Sequence, residues 1–105
     1  LMSSATAKLE TIIKNQEINI PHCKVVSNVT AKEYKNTEEI KELLIKQIES
    51  PVRWRESIEH MIKQGSNTFI EIGPGKVLSG LIRRINKEVK VLNIDAVEDI
   101  QDIKI

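Results

Sequence analysis

The chain has 105 residues, 40% of them hydrophobic and 30% charged, enough apolar material for one modest folded domain and too much for a disordered chain. Sixteen basic residues against fifteen acidic ones leave a formal charge of +1, without the basic excess of a dedicated nucleic-acid binder. A single cysteine, Cys23, excludes an internal disulfide framework or a cysteine-rich zinc site; with no apolar run near the roughly 20 residues that cross a bilayer and no signal peptide, the expected setting is the cytoplasm.

Taken in chain order, Leu1, Met2, Ala5, Leu9, Ile12 and Ile13 recur at three- and four-residue intervals and predict a first helix whose apolar face calls for a partner surface. "KVVS", Lys24 to Ser27, reads as a short buried strand ending at Asn28. Asn36 followed by Glu39 has capping-box spacing before "IKELLIKQI", where Ile40, Leu43, Leu44 and Ile48 share a helical period. Ser50 and Pro51 read as the cap and first residue of a third helix, with Val52, Trp54, Ile58, Met61 and Ile62 on its apolar face and Gly65 at its left-handed end. "TFIEIG" is then a strand, "KVLSGLIRRI" a helix and "VKVLNI" a strand, followed by an acidic tail. Strands separated by helices pair in parallel through right-handed crossovers, so the expected fold is a three-layer α/β piece without an internal domain boundary.

"FIEIGPGKVLSG", Phe69 to Gly80, has the outline of a phosphate-cradling loop but departs from it in detail. A P-loop needs a hydroxyl after Gly-Lys, and here Val77 follows Gly75-Lys76. The third glycine of a dinucleotide fingerprint falls on Leu78, and Pro74 removes an N–H donor from the turn. Gly73, Pro74 and Gly75 therefore read as an architectural strand-to-helix reversal, with Gly80 letting the helix lie close to the sheet.

Three segments together resemble the malonyl-CoA:acyl carrier protein transacylases. "PHCKVVSNVTA" is similar to that family's P-x-x-x-V-V-S-N-V-T-A segment, "LLIKQIESPVRWRESIEHMIKQG" to its L-x-x-Q-x-x-S-P-V-R-W helix pair, and "TFIEIGPGKVLSGLIRRI" to its last strand, Gly-Pro-Gly turn and helix. The resemblance runs from Leu1 to about Asp95. It implies a parallel-sheet portion of an α/β hydrolase-like acyltransferase domain, residues 1–105 being the C-terminal part of the large subdomain. It also implies transfer of malonyl from malonyl-CoA to the phosphopantetheine thiol of acyl carrier protein in fatty-acid biosynthesis, through an acyl-serine intermediate.

The family's nucleophile sits in a Gly-x-Ser-x-Gly elbow, which this chain does not contain, and its catalytic histidine precedes a Leu-Met pair like Leu1-Met2. By resemblance, the nucleophile, the base and the arginine for the malonyl carboxylate lie in a remaining N-terminal part, and the isolated chain is expected to be inactive. No metal or other cofactor is implied, malonyl-CoA being a substrate; the partners implied are acyl carrier protein and malonyl-CoA, with no nucleic acid and no membrane. Gln47 matches the family's glutamine whose carbonyl accepts a hydrogen bond from the catalytic histidine, whereas composition alone reads it as an exposed helix residue. Asn28 reads equally as a crevice-lining residue or a turn cap. His22 and His60 fall off the catalytic position, Cys23 reads as a small packed side chain and Trp54 as a packing anchor. Lys76, Arg83, Arg84, Lys87 and Lys90 form a basic bias that suits an acidic carrier protein or CoA phosphates, or a solvated helix face. Other readings are a non-catalytic carrier-protein interaction module, a nucleotide-binding α/β domain and a polyketide synthase acyltransferase fragment.

Overall fold

Residues 4–103 are described in the computed structural model, so the Leu1-Met2 pair lies outside the described residues. The chain divides into two compact units, one ending at Ser57 and the next starting at Ile58. No sequence signal marks this division because it falls inside a continuous helix, α3, Trp54–Lys63.

In the first unit, α1 (Ser4–Asn15) packs on α2 (Thr37–Gln47), and the Lys41 ammonium donates to the Lys14 carbonyl at the end of α1 at 3.1 Å. Leu9 and Ile12 remain exposed on α1, so the apolar stripe read from the sequence is not covered by the described residues of this unit. Asn36 caps α2 as expected: its side-chain oxygen accepts from the Glu39 N–H at 2.8 Å. The returning arm differs by one residue, because Glu39 accepts from the Lys35 N–H instead of from Asn36. Ile40 and Leu43 are buried on the inner face of α2.

Two expectations fail in this unit. Lys24 to Ser27 is not a parallel strand; only Val26 pairs, in an isolated antiparallel bridge with Glu33. A strand needs a neighbour to take its N–H and C=O groups, and the unit offers only this local return of the chain. Nor does the third helix begin at Pro51. The Ser50 hydroxyl turns back to donate to the Lys46 carbonyl at 2.5 Å, and the first turn of α3 closes from Ser57 N–H to Arg53 C=O at 3.0 Å.

The second unit opens with the rest of α3. The Gly65 N–H donates to Ile62 C=O and the Ser66 N–H to Met61 C=O, both at 3.0 Å, with Gly65 at φ 110°. This pair of bonds is the Schellman ending, and the sequence placed its glycine correctly. Strand β1 (Thr68–Ile72) and strand β2 (Lys90–Ile94) pair in parallel, Glu71 lying opposite Asn93, and α4 (Val77–Ile85) connects them and packs on both. Phe69, on β1, and Ile82, on α4, are buried, whereas Ile70 and Ile72 on the other face of β1 are exposed. Two strands with one helix on one face are α/β, but they are not a three-layer sheet among the described residues. The acidic tail forms a 3₁₀ turn, Val97–Asp102, in which the Asp99 carboxylate accepts from the Asp95 and Ala96 N–H groups at 2.9 Å each. These two bonds hold its pKa below the usual aspartate value, with a smaller push from the Lys76 charge. No described helix is long and apolar enough to cross a membrane.

Candidate functional site

Asn28 sits in a tight turn organised by Ser27, which is fully buried. Ser27 accepts at its hydroxyl from the Val29 N–H (3.1 Å) and at its carbonyl from the Ala31 N–H (2.9 Å), while its own N–H donates to Lys32 C=O (2.9 Å). Closing so short a loop forces Ala31 to φ 58°, a left-handed conformation that a side chain disfavours. The turn is tied to the start of α3 by Arg53: its N–H donates to Asn28 C=O at 3.2 Å, and its Nη1 donates to Val29 C=O and Thr30 C=O at 3.3 Å each. Glu56, one turn along α3, takes the other side of the guanidinium, with Nε at 2.9 Å and Nη2 also bound. That hydrogen-bonded pairing raises the pKa of Arg53 and lowers that of Glu56.

Gln47 is the last residue of α2 and is half-buried, not the exposed residue that composition alone suggests. Beyond it the chain tightens: Ile48, Glu49 and Ser50 donate to the carbonyls three residues back, at 3.2, 3.3 and 3.3 Å, the last of them that of Gln47. The structure therefore connects Asn28 to the segment following Gln47 through Arg53. Sequence reasoning gave Arg53 no part in this, because its partners are backbone carbonyls more than twenty residues away.

In the second unit Gly73 (φ 136°) and Gly75 (φ 83°) adopt conformations that glycine alone enters readily, and the Gly73 N–H continues the parallel ladder to Ile94 C=O at 2.9 Å. The turn delivers the chain to an α4 start that has no side-chain cap of its own, Lys76 making none. The cap comes from β1. One Glu71 oxygen accepts from the Ser79 N–H (2.9 Å), the Ser79 hydroxyl (2.7 Å) and the Asn93 amide (3.2 Å); the other accepts from the Leu78 N–H (3.3 Å). The Asn93 amide also donates to the Ser79 hydroxyl, and Ser79 is fully buried. The Ser79 hydroxyl, followed by the Ser79 and Leu78 N–H groups, holds the Glu71 pKa below its usual value. The N–H groups that a phosphate would need at this helix start already bind an anion, the protein's own carboxylate.

An open cleft of about 460 Å³ lies at the carboxyl ends of the strands, lined by Lys76, Val91, Leu92, Asn93, Asp95 and Asp99. One cation against two carboxylates makes it a poor phosphate receptor, which further weighs against nucleotide binding. On α4, Arg83 and Arg84 are exposed in the last turn, Arg83 reaching Val91 C=O at 3.4 Å. Two minor expectations are corrected. Cys23 is exposed, on a loop without a strand to bury it, and a Cβ built on Gly80 meets nothing within 4 Å, so among the described residues no close approach requires that glycine. Trp54 is half-buried, and its indole N–H is shielded from solvent without an acceptor among the described residues. No cluster of three or more His, Cys, Asp or Glu suited to a metal ion occurs among the described residues.

No family model matches the chain. The chain is 44% identical over 101 residues to a malonyl CoA-acyl carrier protein transacylase of Bacillus subtilis (strain 168), a match covering 96% of the chain and 32% of that relative. Among solved structures, an acyl carrier protein S-malonyltransferase from Vibrio cholerae superposes with a TM-score of 0.87 at 38% identity, over 95% of this chain and 33% of that one. A type II PKS acyl-carrier protein in complex with its malonyl-transacylase gives a TM-score of 0.83 at 36% identity, over 92% of this chain and 32% of the matched chain. The chain thus spans about a third of the length of the relatives it matches.

Proposed function

We propose, from the premise that this chain corresponds to a stretch of the malonyl CoA-acyl carrier protein transacylases, that it works as part of such an enzyme, passing malonyl from coenzyme A to the thiol of an acyl carrier protein. The observation that carries this is the 44% identity over 96% of the chain, matched by superposition on a solved S-malonyltransferase.

In such a transfer a serine hydroxyl attacks the thioester carbonyl while a histidine takes its proton. The coenzyme A sulfur leaves as the thiol with that proton, and the carrier thiol then attacks the serine ester, the histidine taking and returning a proton again. The route is acyl exchange between thiols and requires no redox or metal chemistry. Both catalytic groups belong to the remainder of the enzyme, which folds with this stretch into an α/β hydrolase-like domain in the cytoplasm. Gln47 supplies the orienting acceptor: its side-chain carbonyl takes the N–H of one imidazole nitrogen, fixing the tautomer and leaving the other nitrogen free for the serine proton. A neutral amide does this without the charge that an aspartate brings to the usual triad. Half-burial at a helix end suits the role, since it limits the rotamers open to the side chain. Asn28, on its fixed turn, lines the crevice. Arg83 and Arg84 offer cations to an acidic carrier, raising its rate of encounter. The complex with a type II PKS acyl-carrier protein supports a second reading in which the carrier belongs to polyketide synthesis.

The test uses the full-length protein with malonyl-CoA and holo carrier protein, reading malonylated carrier by mass. Gln47→Ala is expected to lower kcat roughly tenfold to a hundredfold, the range in which small losses of alignment act. No malonylated carrier with the unaltered protein, or an unchanged kcat in the variant, contradicts the proposal.

A further inference from the structure

We infer that Arg53 is a positioning residue of the transacylase site, clasping the Asn28 turn to the segment that follows Gln47 so that these two residues keep one spacing; this rests on the function proposed above. Three consecutive carbonyls, those of Asn28, Val29 and Thr30, point out of the turn, and Arg53 takes all three, the first with its backbone N–H and the others with its guanidinium. Glu56 fixes the orientation of the fork, so the donors are aimed before the turn docks on them. The turn also holds Ala31 in a disfavoured left-handed conformation, which persists only where surrounding contacts maintain it.

On the other side of the clasp the path from Gln47 to Arg53 is short and stiff. Three successive bonds to carbonyls three residues back tighten it, the Ser50 hydroxyl bonds to Lys46 C=O, and Pro51 fixes one backbone angle. A shift at Arg53 therefore has only this short path, hydrogen-bonded as far as Ser50 and restricted at Pro51, over which to be absorbed before Gln47. The Arg53 side chain is 43% exposed and that of Glu56 54%, and exposed ion pairs contribute little to stability. The clasp is placed to set geometry while adding little to the folding free energy.

The experiment compares Arg53→Ala, Arg53→Lys and Glu56→Gln in the full-length protein by malonyl transfer kinetics, thermal midpoint and amide hydrogen exchange. Expected for Arg53→Ala are a kcat reduced roughly tenfold or more, the scale at which a misplacement of about 1 Å acts, a KM for malonyl-CoA within about twofold of the parent and a nearly unchanged midpoint. Exchange should quicken together at residues 28–31 and 48–53. Arg53→Lys, which keeps the backbone bond and one donor, should recover part of kcat, and Glu56→Gln should lose less than Arg53→Ala. A kcat unchanged in Arg53→Ala, or a loss that follows the thermal midpoint across all three variants, overturns the positioning role. If the unaltered protein transfers no malonyl, the functional reading fails and this role with it, whereas an active parent with an indifferent Arg53 refutes the positioning role alone.

Discussion

Replacing Ser79 by alanine tests the network at the start of α4. The serine hydroxyl donates to the Glu71 carboxylate at 2.7 Å and accepts from the Asn93 amide, with no exposure to solvent. After its removal, Glu71 keeps the N–H groups of Ser79 and Leu78, and Asn93 keeps Glu71 at 3.2 Å, so no remaining polar group loses all its partners. The loss is then that of one charge-assisted hydrogen bond without an orphaned group, about 2 kcal/mol. In a chain of 105 residues that lowers the thermal midpoint by roughly 8–16 °C. The effect has a pH signature. Folding depresses the Glu71 pKa below its ordinary 4.5, so the stabilisation is fully present above the unfolded value and fades as pH falls through the lower folded one. Urea unfolding of parent and Ser79→Ala, measured from neutral pH down into that acid window, should show a difference that is constant at neutral pH and shrinks in acid. A difference that is absent at pH 7, or that persists unchanged through the acid window, refutes the reasoning.

Two further substitutions test local structure by urea unfolding. Asn36→Ala removes the acceptor for the Glu39 N–H and should destabilise by about 1 kcal/mol; no change would mean that another group caps α2. Gly80→Ala should stabilise by roughly 0.5–1 kcal/mol, because the position is helical and a Cβ there meets nothing within 4 Å. A destabilised variant would show that something packs against Gly80 in the folded protein.

The second unit was largely legible because its signals are local. Short runs rich in Phe, Ile, Val and Leu mark β1, which ends at Gly73, and β2, the intervening periodicity marks α4, and a helix between the strands dictates their parallel pairing. Asn36 and Gly65 were equally readable, since a cap acts on residues within a turn or two. Lys24 to Ser27 was misread because apolarity and β-branching describe a side chain's preferences, not the presence of a neighbouring strand. The start of α3 was misplaced by three residues because Pro51 permits a helix there, while Ser50 turns its hydroxyl back to α2 and Arg53 is held by carbonyls distant in sequence. For the candidate site, Gln47 came from resemblance, whereas Asn28 came from its place at the end of an expected strand, a strand that the structure replaces by a single bridge and a turn. The Glu71 cap was missed although a signal existed. Glu71 stands two residues after buried Phe69, hence on the same face of β1, and a carboxylate on an inward face needs donors waiting for it.

The built-in carboxylate also decides how the glycine turn meets free anions. Glu71 is joined to Leu78 and Ser79 by only seven and eight residues of chain. A group on so short a tether is present at its receptor at an effective concentration in the millimolar range or above, whatever the bulk composition. Inorganic phosphate or a nucleotide arriving from solution must therefore outcompete a resident ligand that cannot diffuse away. Closure by competition leaves the glycine pattern intact, so a descendant of this sequence in search of a phosphate site would have to lose its glutamate before any gain of lysine or hydroxyl could act.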